Sequence, residues 1–213
     1  MFQVIEFMAV VSSAVYGVLL ARRHQMDFVG AFSVALMVSF GGGTLRDLFL
    51  DRHPLFWIRE SHYPVIVFAL ALVTSLVPRL PKGIEKLLDI PDALGLGLFS
   101  VIGATAAIDA GTSLFVASLM GVITGTFGGV IGDIVCNRVP SLFRTAPLFA
   151  TCSFTGCWLL FLLQKLSVPE TIAGPAAITV IVLFRLAAIR WQWRLPQLDI
   201  QHDEARSSKP DET

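Results

Sequence analysis

Gly41-Gly42-Gly43-Thr44-Leu45-Arg46-Asp47 lies inside a long apolar run, and 86 positions later Phe127-Gly128-Gly129-Val130-Ile131-Gly132-Asp133 lies inside another. Glycine costs roughly 1 kcal/mol against alanine in a helix interior, so consecutive glycines predict a kinked or broken helix at each place. Interrupted apolar segments at corresponding positions of two halves point to a binding or permeation site in a membrane protein. Gly41, Gly42, Gly43, Gly128 and Gly129 are therefore candidate pore or kink residues.

The same offset aligns more than glycine. Val15 meets Val101, Gly17 meets Gly103, Arg52 meets Arg138, Pro54 meets Pro140 and Phe68 meets Phe154, without a gap. Glu6 falls opposite Asp92. Apolar matches are cheap in such a sequence, but a co-aligned Gly-Gly, Asp, Arg and Pro are not, and the pattern predicts an internal duplication.

The chain is 54% hydrophobic and 15% charged, with mean hydropathy +0.72. Soluble domains carry about 25% charged residues, so these values imply an integral membrane protein. Seven apolar segments are delimited by charges, prolines and glycines: 3–20, 28–49, 63–77, 93–108, 114–135, 147–163 and 172–189. The runs are continuous rather than alternating, which argues against a barrel and for helices. The fold class expected is thus all-α, with seven transmembrane helices. Residues 1–80 form a first three-helix repeat, 87–166 a second, inverted one, and 170–195 a seventh helix outside the repeat. An odd number of spans per repeat inverts the second copy. The second and fifth helices then run antiparallel, with their glycine clusters near one depth.

Loop charges set the orientation. With the N-terminus outside, the inner side holds Arg22, Arg23, Arg79, Lys82, Lys86, Arg138, Arg144, Arg190, Arg194, Arg206 and Lys209, and the outer side Arg46, Arg52, Arg59 and Lys165. Eleven against four is a clear positive-inside bias. Trp191 and Trp193 read as an interfacial anchor, and 197–213 as a polar, disordered cytoplasmic tail. The first segment lacks a basic n-region and a small-residue cleavage motif, so it reads as a retained span rather than a signal peptide.

A formal net charge of zero gives no case for nucleic acid. Cys136, Cys152 and Cys157 read as small buried hydrophobes, and the four histidines lack ligand spacing. No phosphate loop, nucleophile–base pair or metal cluster is visible, so no cofactor, no resident metal and no enzymatic activity are expected.

Two three-segment repeats plus a seventh, with Gly-Gly-Gly-x-x-Arg-Asp in the second segment and Gly-Gly-x-x-x-Asp in the fifth, resemble the prokaryotic TRIC (trimeric intracellular cation) channels, whose domain is also labelled a bacterial "glycine transporter". Asp92-Ala93-Leu94-Gly95-Leu96 and Gly103-Ala104 are similar to that family as well. The resemblance covers roughly 4–190. It implies a homotrimer in the bacterial inner membrane with one pore per protomer, lined by kinked second and fifth helices and passing potassium and other monovalent cations, sodium among them. One departure stands out: the family's second copy usually repeats the arginine before its aspartate, where this chain has Gly132.

The remaining site residues follow from position. A carboxylate within a span is costly and signals function. Asp47 and Asp133, four residues beyond Gly43 and Gly129, are expected at opposite mouths of the path, where they concentrate cations, or else they pair with Arg46, Arg52 or Arg138. Arg46 either neutralises an acid or obstructs the path as part of gating. Ser39, Thr44, Thr124 and Thr126 flank the glycines and either cap freed backbone groups or line a water path. A cation channel is the leading expectation. The alternative, from another class, is a secondary transporter of glycine or a similar zwitterion, since inverted repeats with broken helices also serve alternating access.

Overall fold

The computed structural model describes residues 2–77 and 88–196. Among them are eight α-helices: α1 Phe2–Arg23, α2 Phe28–Phe49, α3 Phe56–Arg59, α4 His62–Leu76, α5 Asp89–Asp109, α6 Leu114–Val135, α7 Ala150–Lys165 and α8 Glu170–Trp191. A 3-10 turn, Ser141–Phe143, precedes α7. No strand occurs among the described residues beyond one antiparallel bridge between Pro147 and Arg194. The protein is an all-helical membrane protein.

Seven helices overlap the seven expected segments. The eighth, four-residue α3, was not expected. Five helices (α1, α2, α5, α6 and α8) are long and apolar enough to cross a membrane. Helices α4 and α7, with 15 and 16 residues, rise only about 22–24 Å at 1.5 Å per residue, less than a hydrocarbon core of about 30 Å. By length, then, the expected count of seven spans is met for five. Arg79, Lys82, Lys86, Arg206, Lys209 and the expected tail at 197–213 lie outside the described residues.

Local geometry recurs at the 86-residue offset. Asp27 caps α2 by accepting from the Gly30 N–H, and Ser113 caps α6 by accepting from the Val116 N–H. Each cap satisfies one of the orphan donors of a helix start. The preceding turns match too: Met26 N–H donates to the Ala21 carbonyl and Thr112 N–H to the Ala107 carbonyl, with Gln25 and Gly111 both at positive φ. At the other ends, Arg52 N–H donates to the Asp47 carbonyl and Arg138 N–H to the Asp133 carbonyl, each over 2.8 Å.

α5 is the most enclosed long helix, with its buried side running from Ala93 through Ala107. One apolar cluster joins α1 (Val10, Ala14, Val18) to α4 (Tyr63, Val67, Ala71) and α5 (Phe99, Ile102). A second joins α5 (Leu96, Val101, Ala104) to α6, α7 (Cys157, Leu160) and α8 (Ala177, Ile181). Cys136, Cys152 and Cys157 are all buried and free, as small apolar side chains. Trp191 and Trp193 are exposed and stack on each other, ring centroids 5.3 Å apart.

Candidate functional site

α2 and α6 cross in antiparallel fashion where their glycine clusters meet. A Cβ added to Gly42 would collide with the Thr124 carbonyl, and one added to Gly128 with the Val38 carbonyl. The two contacts are related by the repeat: 42 to 128, and 38 to 124, each differ by 86. Only glycine lets the backbones approach this closely, the role small residues take between membrane helices. The expected break is corrected here, because α2 and α6 remain helical through both clusters. The intrinsic cost of glycine is offset by interhelical packing, which outweighs propensity. Gly41 packs against Ile131, Gly43 against the Phe56 ring, and Gly129 faces open space.

A small void of about 20 Å³ adjoins the crossing, lined by Tyr16, Val38, Gly42, Asp92, Phe99, Thr124, Gly128, Gly129 and Phe149 among others. It has room for about one water. Of the four candidate hydroxyl residues, Thr124 lines this void, while its hydroxyl donates to the Met120 carbonyl at 2.7 Å. Ser39 faces α1 and donates to the Val10 carbonyl at 3.5 Å. The Thr44 hydroxyl accepts from the Trp57 indole at 3.0 Å, and the Thr126 hydroxyl donates to the Val122 carbonyl at 2.7 Å.

Toward the C-terminal end of α2 opens a cavity of about 260 Å³, lined by Glu6, Arg46, Asp47, Arg52, Arg59, Thr105 and Asp109. Ile102 also lines it, the counterpart at the repeat offset of Tyr16 in the void. Asp47 is buried and fully engaged: Oδ1 accepts from Arg46 Nε at 2.8 Å and Oδ2 from the Phe56 N–H at 2.8 Å. The Arg46 guanidinium also lies 5.2 Å from the Phe56 ring centroid. Arg46 thus neutralises its neighbour. A carboxylate so paired is a weak bare attractor for cations, which qualifies the mouth role expected of Asp47.

Asp133 lies past the crossing on the other side. Each aspartate is about seven residues from the crossing point, which places the two roughly 20 Å apart along the helix axes. Asp133 Oδ2 accepts from the backbone N–H and hydroxyl of Ser141, both at 3.0 Å, while Arg138 stands 4.0 Å from Oδ1. Gly132 stands at the repeat position of Arg46, so the residue before Asp133 carries no guanidinium. Beyond lies a cavity of about 510 Å³ formed by residues 141–151 with Leu195 and Pro196.

One buried ion pair escaped the sequence reading. Arg185 of α8 reaches Asp92 of α5, with Nη2 3.1 Å from Oδ2, and both side chains are largely buried. Its Nη1 donates to the carbonyls of Pro147 at 3.0 Å and Leu148 at 2.9 Å, and its guanidinium lies 4.5 Å from the Phe149 ring centroid. The signal was an ionisable residue inside the seventh segment; Asp92 stood out in the repeat and in the family-like motif, but nothing tied it to a residue 93 positions away.

Fold and site together define an α-helical membrane protein centred on a glycine-packed crossing of two antiparallel helices, with a cavity beyond each end. The chain belongs to the family described as Glycine transporter, whose profile matches it twice, at residues 3–79 and 89–165. It is 36% identical over 184 residues to the UPF0126 inner membrane protein YadS of Escherichia coli (strain K12), covering 86% of this chain and 89% of that protein. It is 30% identical over 195 residues to a UPF0126 membrane protein of Deinococcus radiodurans, covering 90% and 89%. Among solved structures, a TRIC cation channel studied for the structural basis of its conductance superposes with TM-score 0.84 at 30% identity, over 94% of this chain and 98% of that one. The TRIC trimeric intracellular cation channel orthologue from Rhodobacter sphaeroides does so with TM-score 0.84 at 31% identity, over 90% and 98%.

Proposed function

We propose that this protein is a homotrimeric channel for monovalent cations, potassium foremost, with one path through each protomer at the α2–α6 crossing. The observation that carries the reading is that crossing: two helices in contact at Gly42 and Gly128, a void of about one water's size beside them, and a cavity toward each end, charged in its lining at the Asp47 end. The kinship with TRIC cation channels supports it. In this reading Gly42, Gly128, Gly129 and Thr124 form the constriction, and Gly41 and Gly43 set helix spacing. Ser39, Thr44 and Thr126 steady the helices around it. Asp47 and Asp133 bias the two ends toward cations, Asp47 with its charge offset by Arg46. All helices but α3 span in this reading, the shorter α4 and α7 included, as two inverted three-helix repeats plus α8, N-terminus outside and C-terminus cytoplasmic, in a bacterial inner membrane. The twofold match of the family profile and the recurring caps favour the duplication.

The test is potassium release from proteoliposomes. Purified protein should discharge a potassium gradient rapidly, without saturation and with no dependence on glycine. Retention of the gradient beside saturable, glycine-dependent uptake would refute the channel. One feature favours that second reading: the 260 Å³ cavity sets Arg52 and Arg59 among Glu6 and Asp109, charges of both signs suited to a zwitterion's carboxylate and ammonium.

A further inference from the structure

Arg185 is the feature that the channel reading leaves unused. It comes from α8, outside the duplicated halves, yet it puts a guanidinium directly on the acid whose first-half counterpart accepts from a neutral hydroxyl. In the first half Glu6, the counterpart of Asp92, meets the neutral Tyr63 hydroxyl, with Tyr63 Oη 3.3 Å from Glu6 Oε2. At the repeat offset the residue corresponding to Tyr63 is Phe149, which has no hydroxyl to give. Asp92 instead receives Arg185, at 3.4 Å from Nε and 3.1 Å from Nη2. A buried ion pair costs desolvation at both partners and adds little stability over apolar packing. An intramembrane charge is therefore more economically explained by function than by stapling.

The position is specific. Asp92 lines the central void beside Thr124, Gly128 and Gly129. Phe149 lines both that void and the 510 Å³ cavity beyond, and so stands as a wall between them. Arg185 holds that wall by three means: its guanidinium packs on the Phe149 ring, and its Nη1 holds the carbonyls of the two preceding residues. Both contacts to Asp92 are on Oδ2, leaving Oδ1 out of the pair.

We propose that Asp92 is a permeation-controlling residue at the Asp133 end, and that Arg185 is its tethered counter-cation, holding the Phe149 wall shut while paired. Release of Arg185 bares a carboxylate beside the constriction and frees the 147–149 segment in one movement. The inference rests on the channel reading and adds residues which that reading does not use.

The experiment compares unitary potassium currents of the full chain in planar bilayers for wild type, Arg185→Gln, Arg185→Lys, Asp92→Asn and Asp92→Asn/Arg185→Gln. A cleft lined by charge of one sign concentrates counter-ions by about tenfold or more, and a fixed positive charge beside the path opposes that effect. Arg185→Gln is therefore expected to raise open-channel current or open probability several-fold. Asp92→Asn should lower it, because Arg185 is then an unbalanced cation. The double variant should fall below Arg185→Gln, and Arg185→Lys should stay near wild type in current. Should Arg185→Gln not accumulate, the double variant, in which neither charge is stranded, carries the comparison against Asp92→Asn. A wild type that conducts, with variants that differ only in thermal stability and not in current or rectification, overturns the proposal and leaves the channel reading intact. A wild type with no unitary current removes both.

Discussion

Alanine at Gly42 is the sharpest test of how the two halves are held together. The added methyl would collide with the Thr124 backbone carbonyl, with the Thr124 carbonyl carbon at 3.0 Å. Ordinary carbon–oxygen contacts are about 3.3 Å or longer, and the obstacle is backbone, so no rotamer change relieves it. The helices must part by on the order of an ångström, at a cost of about 2–3 kcal/mol for overpacking. About 1 kcal/mol returns through the better helix propensity of alanine. The net loss of about 1–2 kcal/mol corresponds to roughly 2–8 °C in Tm for a chain of this size. Gly128→Ala should behave alike, since its methyl would meet the Val38 carbonyl. Gly129→Ala is the control, because nothing lies within 4 Å of the added carbon, and it should hold or raise Tm. Thermal unfolding in detergent, followed by tryptophan fluorescence, reads all three. Equal Tm values for Gly42→Ala and Gly129→Ala would refute the close-packing argument.

Asp47→Asn strands the buried Arg46 guanidinium and should destabilise by about 3–5 kcal/mol, visible as a fall in Tm or loss of folded protein. Asp133→Asn should cost less, about 1 kcal/mol, because an amide oxygen can still accept from Ser141 and the nearest cation, Arg138, stands 4.0 Å off and is partly exposed. The native protein should resist maleimide labelling at Cys136, Cys152 and Cys157, all buried, and label fully once unfolded; rapid native labelling would contradict the packing. Tyr63→Phe removes a long hydrogen bond to Glu6 and should lower stability by no more than about 1 kcal/mol in the same thermal assay.

The helices were legible where chemistry marks their ends. Segments 28–49 and 114–135 match α2 and α6 to the residue, because Asp27 and Ser113 cap their starts. The seventh-segment estimate of 172–189 sits two residues inside each end of α8. The sixth was misplaced: α7 begins at Ala150 rather than Pro147, since the Leu148 N–H is taken by the Trp193 carbonyl and the neighbouring carbonyls by Arg185. Those ties are tertiary and leave no local pattern. The glycine clusters lie where α2 and α6 meet, but propensity alone argues for breaks there and cannot anticipate the partner helix. Asp47 and Arg46 were legible as an ionisable pair. Asp92 with Arg185 was not, because hydropathy and spacing carry no information about contacts between residues so far apart.

The central claim is a cation path through this crossing, and a reversal potential tests it most directly. Purified wild-type protein would be placed in a planar bilayer with a potassium chloride gradient and the zero-current voltage read from unitary steps. Resolvable steps should reverse near the potassium equilibrium potential. Steps that reverse near the chloride potential, or a silent bilayer from a preparation that takes up labelled glycine saturably, would contradict it.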